Sequence, residues 1–390
     1  MKRHSFLFFV FALCVIKLYI PSKIDSVDIP IVTQNNKFGV HILFPSEIES
    51  AAKLVNSSGG DWGYVTIPIP AGDKDLVKWQ KFMDDAKRLH IIPIIRLTTE
   101  GDYFIEATWK KPSSADVLDF ANFLNSLDWP TLNRYVVVFN EPNRADEWGG
   151  IPDASEYANI LGYAVSTFKS KSQDFFIISA GLDNASANIQ AQSIDEYTFM
   201  QRMESNVPGI FNQIDAIASH SYPNPGFAQP SWVLTRKSIS SFIYEKRLAD
   251  VLGNKNLPVF ITETGWSKDV VLETQIASYF TNAFESVWSD TNIVGITPFL
   301  LNAGIGPFAK FSLLNNDGTA SQVYNTLKNI PKIKGDPKLA EDKTVHDTSV
   351  LKDTTLPVKN FSTDQDFKKD SLIKSKITEG VKFVKWLLRL

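Results

Sequence analysis

From Lys37 onward, short apolar runs alternate with longer stretches in which apolar residues return every three or four positions, and eight such pairs precede Asn329. Short runs rich in Val, Ile, Phe and Tyr read as strands buried on both faces, and the periodic stretches read as amphipathic helices. The predicted strands are residues 38–44, 64–69, 91–97, 135–140, 175–180, 214–220, 258–263 and 293–300. The predicted helices are residues 45–56, 76–90, 113–127, 154–170, 194–205, 231–252, 272–289 and 321–329. Eight such units in roughly 290 residues match the size of a (β/α)₈ TIM barrel, whereas an open doubly wound sheet usually has fewer.

The joins differ at the two ends of the strands. Short turns lead into the third and seventh strands, while residues 98–112, 141–153, 181–193 and 221–230 form long segments leaving strand C-termini. Long loops on that face are where barrel enzymes collect their catalytic groups, so the asymmetry favours an enzyme.

Two predicted strands end in an acid. Tyr135-Val136-Val137-Val138-Phe139 runs into Asn140-Glu141-Pro142, and Val259-Phe260-Ile261-Thr262 runs into Glu263. A carboxylate at the tip of a buried strand is unfavourable unless it has a partner or a task. The fourth and seventh strands of a barrel face each other across the mouth, which lets Glu141 and Glu263 flank one bond. Glycosidic cleavage needs such a pair, one acid to protonate the leaving oxygen and one carboxylate to attack or stabilise the sugar carbon. Adjacent strand residues point to opposite faces, so Asn140 and Glu141 share a site only if the strand stops there, as Pro142 suggests.

On the sixth strand Ala216, Ala218, His220 and Tyr222 share a face. The Tyr222 hydroxyl is expected to donate to Glu263 and keep it ionised, with His220 bonding the same carboxylate or a sugar hydroxyl. Sugars stack on aromatic rings, and Trp109, Trp148, Trp266, Tyr103 and Phe308 fall on the strand-exit side. Trp266, three residues after Glu263, is the preferred platform. Trp62 precedes its strand and is expected to pack at the opposite end.

Composition removes other classes. A formal net charge of −3 gives no basic footprint for nucleic acid, and the substrate is not expected to be a polyanion. Cys14 is the single cysteine and the five histidines are scattered, so neither a cofactor nor a metal centre is expected. Met1-Lys2-Arg3-His4 followed by apolar residues 5–20 has the form of an export signal, and residues 1–22 fit either a cleaved signal or a membrane anchor. The protein is therefore expected to be secreted or held at the cell surface. Residues 331–370 read as a solvated linker or tail, and residues 371–390 as a basic amphipathic helix that lies on a membrane or packs on a partner or the barrel. Residues 5–20 and 371–390 are thus the segments through which the chain could meet a membrane, with residues 37–330 expected to form a monomeric catalytic domain.

Val138-Phe139-Asn140-Glu141-Pro142, His220-Ser221-Tyr222 and Ile261-Thr262-Glu263-Thr264-Gly265-Trp266 stand in the order found in clan A glycoside hydrolases, which the chain resembles over about residues 37–330. The resemblance implies a retaining (β/α)₈ enzyme with Glu141 as acid/base, Glu263 as nucleophile and Asn140 binding the sugar 2-hydroxyl. The His-x-Tyr pattern is similar to glycoside hydrolase family 5. Two family features differ, since Ile296-Thr297-Pro298-Phe299-Leu300 holds no tryptophan on the eighth strand, and Arg96 ends the third strand where the family has an arginine on the second. Arg96 is expected to orient a carboxylate or bind substrate. Besides a retaining β-glycosidase, a non-catalytic carbohydrate-binding barrel and a transglycosylase remodelling an envelope polysaccharide fit the same pattern.

Overall fold

The computed structural model describes residues 30, 34–99, 109–304 and 306–341. Eight parallel strands form its centre: β1 (Gly39–His41), β2 (Gly63–Pro70), β3 (Ile91–Thr98), β4 (Arg134–Val137), β5 (Phe175–Ile178), β6 (Ile217–His220), β7 (Val259–Glu263) and β8 (Ile293–Ile296). The helices are α1 (Ile48–Val55), α2 (Leu76–Arg88), α3 (Ser114–Ser126), α4 (Ala154–Lys171), α5 (Glu196–Asn206), α6 (Ile210–Gln213), α7 (Ser241–Gly253), α8 (Glu273–Glu285) and α9 (Gln322–Asn329). Strands β1 to β5 form one ladder and β6 to β8 a second. At the two seams isolated parallel bridges, Phe38 to Ile296 at one and Ile178 to Ala216 and Asp183 to His220 at the other, replace continuous pairing. The expected (β/α)₈ TIM-barrel architecture is the one observed.

Local chemistry sets the helix starts. Asp75, Ser113, Asp153, Asp195 and Ser321 each accept a backbone N–H of the first turn with their side chain. Inside the barrel, Tyr64, Tyr135 and Phe176 close around Phe260 at ring distances of 6.1, 5.4 and 6.0 Å. These rings fill the interior below the mouth and leave the site at the strand C-termini as the place where polar groups meet.

The structure departs from the pattern in three places. The helix predicted over residues 231–252 starts only at Ser241, because Ser238 and Ser240 hydroxyls donate to the Thr235 carbonyl and hold residues 235–240 in turns. The short α6 lay within no predicted element. Residues 331–341, the described part of the segment expected to be solvated, are mostly exposed but are tied to the barrel floor by backbone bonds. There the Lys332, Gly335 and Asp336 N–H groups donate to the Ser58, Asp61 and Gln34 carbonyls, and Leu132 N–H donates to Lys338.

The expected export or anchor segment 1–22, the rest of the expected tail and the amphipathic stretch 371–390 lie outside the described residues. Among the described residues no helix is long and apolar enough to cross a membrane.

Candidate active site

Glu141 and Glu263 reach one point through two different breaks in strand regularity. β4 ends at Val137, and the chain then takes left-handed backbone at Phe139 (φ 69°) and at Glu141 (φ 34°). Non-glycine residues held there carry about 1–3 kcal/mol of strain each, which surrounding bonds must offset. The Glu141 N–H donates to the Gly181 carbonyl at 3.1 Å, and the Arg144 N–H returns to the Glu141 carbonyl at 3.0 Å. This break lets both Asn140 and Glu141 face the mouth.

On β7 the break is a bulge. Its register with β6 pairs Ser219 with Ile261 and then His220 with Glu263, so Thr262 and Glu263 together span one step. Phe260 faces the interior. Strict alternation from Phe260 would send Glu263 towards the helices, and the extra residue turns it back to the mouth.

The two carboxylates have unlike surroundings although both are buried. Glu263 Oε1 accepts from an Arg96 guanidinium nitrogen, and its Oε2 accepts from the Tyr222 hydroxyl at 3.0 Å. Burial alone would raise the Glu263 carboxyl, but the charges of His220, Arg96 and His41 and the Arg96 bond outweigh it and bring its pKa down to about 2. The same Arg96 nitrogen donates to Asn140 Oδ1 at 3.0 Å, so one side chain fixes both groups. Glu141 Oε1 lies 2.8 Å from His220 Nδ1, and its Oε2 accepts from Arg144 at 3.1 Å. Arg144 is held in turn by Asp146 through two N–H bonds at 3.1 and 2.7 Å.

His220 stands between the acids, with the same Nδ1 3.8 Å from Glu263 Oε2. Its hydrogen bond therefore goes to Glu141, where a bond to Glu263 or a sugar was expected. Burial would lower the imidazole pKa, but the Glu263 charge and the Glu141 bond together raise it. One ligand atom each from Glu141, His220 and Glu263 falls within 4.8 Å of the others. A cation placed there would meet Arg96 and Arg144, which already compensate the carboxylates, so the set suits proton chemistry better than metal binding.

The aromatic expectations are corrected by burial. Trp266 is 2% exposed and presents no face to a sugar, whereas Trp148, itself buried, backs the cleft at the exits of β3 and β4. Trp266 donates its indole N–H to the Gln229 carbonyl at 2.7 Å and packs on Phe280 at 4.9 Å. A residue just after a strand tip can turn back under its own loop, and alternation does not foresee that. Trp109 and Phe308 are half-buried at the mouth. Tyr103 lies outside the described residues. Trp62 stacks on His90 at the barrel floor, with ring centroids 4.7 Å apart.

Three participants were not anticipated. His41, the last residue of β1, is fully buried 3.9 Å from Glu263 Oε1, and burial followed by the Arg96 charge brings its pKa down to about 3. A lone polar residue inside the apolar run of the first strand was its available signal. Arg144 lies one turn beyond Glu141, and Gly181 packs beneath the His220 ring. Neither carried a signal in the linear pattern.

No protein-family model matches the chain, and no curated protein does. Solved structures do. A family 39 glycoside hydrolase from the gut symbiont Bacteroides cellulosilyticus WH2 superposes with a TM-score of 0.55 at 16% identity, covering 78% of this chain and 65% of that one. A glucosidase from Croceicoccus marinus gives 0.54 at 8% identity over 76% and 66% of the two chains. A family 5, subfamily 18 glycoside hydrolase from Streptomyces cattleya, in complex with Manβ1-4GlcNAc, gives 0.53 at 14% identity over 75% and 79%. The chain thus spans about two thirds of the length of the first two. At these identities the likeness establishes architecture, and the chain shares the (β/α)₈ fold of these glycoside hydrolases.

Proposed function

We propose that the protein is a retaining β-glycoside hydrolase, with Glu263 as nucleophile and Glu141 as acid/base. The observation that carries this reading is the pair itself: two buried carboxylates at the ends of β4 and β7, one oxygen of each within 4.8 Å, held in opposite chemical roles. Retaining enzymes place their carboxyl groups about 5–5.5 Å apart, inverting ones about 6.5–9.5 Å to admit a water, and the spacing here supports retention.

Glu263, kept ionised by His220 and Arg96 and oriented by Tyr222, attacks the anomeric carbon. The proton for the leaving oxygen resides in the Glu141–His220 hydrogen bond and passes through Glu141. Glycosyl transfer consumes the Glu263 charge, after which Glu141 takes a proton from the water that releases the sugar. Asn140, fixed by Arg96, is placed to bind a hydroxyl beside the cleaved bond.

A shallow cleft opens at the exits of β3 and β4, walled in part by Arg96, Thr99, Trp109, Asn140, Glu147 and Trp148. Its contact with Arg96 and Asn140 makes it the place for a neighbouring sugar, with Trp109 as the stacking wall. An export signal or anchor in residues 1–22 fits an enzyme acting on a polysaccharide outside the cell. The test is a panel of aryl β-glycosides, β-glucans and mannans with the product anomer followed by NMR. Release of the β-anomer first supports the reading, and release of the α-anomer first or no turnover of any glycoside would remove it.

A further inference from the structure

Behind the site, between β6 and helices α5 and α7, lies a buried polar layer that the reaction does not touch. Ser219 and Ser221 alternate with His220 and Tyr222 along the chain, so they face the helices. Ser219 Oγ donates to Glu245 Oε1 on α7 at 2.9 Å and lies 2.8 Å from Ser221 Oγ. Ser221 Oγ accepts from Ser241 Oγ at 3.1 Å and from the Phe242 N–H at 3.3 Å. Thr264 Oγ1, one residue beyond Glu263, donates to the Ser221 carbonyl at 2.6 Å. Every residue flanking His220 is thereby tied to α7 or β7.

Glu245 is buried beside Glu196 of α5, which is 1% exposed. Both Glu196 oxygens are enclosed without an aligned donor among the described residues. Two adjacent buried carboxyls cannot both ionise, and the bond open to them is one in which a proton is shared.

We propose that Glu245 is a positioning residue: through Ser219 it fixes the helix-facing side of β6, so that His220 and Tyr222 on the other side hold Glu141 and Glu263. Its importance for turnover rests on the glycosidase reading above, while the pinning of His220 does not. Burial, the largest influence, pushes the Glu245 carboxyl up to about 7. Burial and then the neighbouring Glu245 raise Glu196 as well. The other groups facing the pair are His220 on the Glu245 side and Tyr197, Asp195 and Asp183 on the Glu196 side. With the proton on Glu196, the carboxyl raised well above its usual value, Glu245 accepts from both Ser219 and Glu196; a glutamine keeps the Ser219 bond and offers its amide to Glu196 in exchange.

The test uses the full chain carrying Glu245→Gln, Glu245→Ala or Ser219→Ala. One measurement is the pH titration of the His220 ring by NMR on histidine-labelled protein, the resonance identified by its loss in His220→Gln. The second is kcat and KM on an aryl β-glycoside. The glutamine variant should keep the His220 midpoint and keep kcat within about twofold of wild type. The alanine variant should lower the His220 midpoint, because the ring loses its hold on the carboxylates that raise it. It should also lower kcat about 10- to 100-fold with KM within about threefold. Ser219→Ala, which leaves both acids in place, should move both readouts in the same direction and decides the matter if Glu245→Ala fails to fold. An unchanged His220 titration in Ser219→Ala and in a folded Glu245→Ala overturns the proposal, as does a glutamine variant as damaged as alanine. Absence of turnover in wild type, with the His220 midpoint still responding, would remove the glycosidase reading and leave the positioning role standing.

Discussion

The His220 ring lies against Gly181 so closely that a Cβ on that glycine would sit 2.2 Å from His220 Cδ2 and 2.5 Å from Nε2. The same glycine offers its carbonyl to the Glu141 N–H, so it sets both partners of the Glu141–His220 bond. Gly181→Ala should therefore push the ring off Glu141 and act as an overpacking substitution, lowering stability by about 1–3 kcal/mol. A drop in kcat of about 10- to 100-fold, larger than the stability loss explains, is the expected kinetic result. Thermal melts and steady-state kinetics on the purified variant check it, and wild-type kcat would show that the ring has somewhere else to go.

Glu263→Ala should abolish nearly all turnover, since it removes the group proposed to attack the anomeric carbon. Glu141→Ala should lose activity according to the leaving group, with aryl glycosides of acidic phenols partly spared because they depart without a proton. Added azide should restore the β-product in Glu141→Ala and the α-product in Glu263→Ala, reporting which face each residue occupies. Equal losses on activated and unactivated substrates would take the acid role from Glu141.

Much of this site was legible because barrels place function at strand ends. Glu141, Glu263, Asn140, His220, Tyr222 and Arg96 all lie at or just beyond the ends of predicted strands, and the structure gathers them within one mouth. What stayed hidden depended on single-residue breaks of pattern or on packing across the chain. Glu263 faces the mouth only because β7 carries an extra residue opposite His220, which alternation does not contain. Gly181 acts through contacts with residues on other strands and loops, Arg144 through a turn that brings it back onto Glu141 and Asp146 of its own loop, and His41 was masked by the apolar run around it. Trp266 and Trp148 sit beside the catalytic positions in sequence, yet their size and apolar faces draw them into the core.

That burial separates two classes of tryptophan variant. Trp266→Ala removes a ring packed on Tyr279, Phe280 and Trp288 and should cost about 3–5 kcal/mol of stability. Trp109→Ala, at the wall of the open cleft, should leave the melting temperature within a few degrees and raise KM about 5- to 20-fold for oligosaccharides long enough to reach it, with little effect on a short aryl glycoside. Comparing KM on short and long substrates, alongside thermal melts, distinguishes the two. An unchanged KM for long substrates in Trp109→Ala would move the neighbouring subsite away from the β3 and β4 exits.

The buried acids also give stability a defined dependence on pH. Glu245 has its pKa raised by burial from 4.5 to about 7 in the folded protein, so between those values the folded state keeps a proton that the unfolded chain releases. Unfolding free energy then falls as pH rises through this window, at up to about 1.4 kcal/mol per pH unit for one proton. Glu47, likewise raised to about 7 by burial, acts in the same window. His220 adds to the trend, because a raised imidazole stabilises fully below its unfolded value of 6.5 and loses that contribution as pH climbs through the folded value. Glu263 works from the other side: its depressed carboxyl stabilises above 4.5, and that contribution is lost as pH falls towards 2. Stability should therefore peak near about pH 5 and decline towards pH 8. Glu245→Gln should flatten the decline without shifting the acid limb, and Glu263→Gln should flatten the acid limb and also ease the decline by the share that His220 owes to the Glu263 charge. Urea unfolding at closely spaced pH values from 3 to 9 resolves the two limbs, and parallel curves for wild type and Glu245→Gln would mean that Glu245 is ionised in the folded protein.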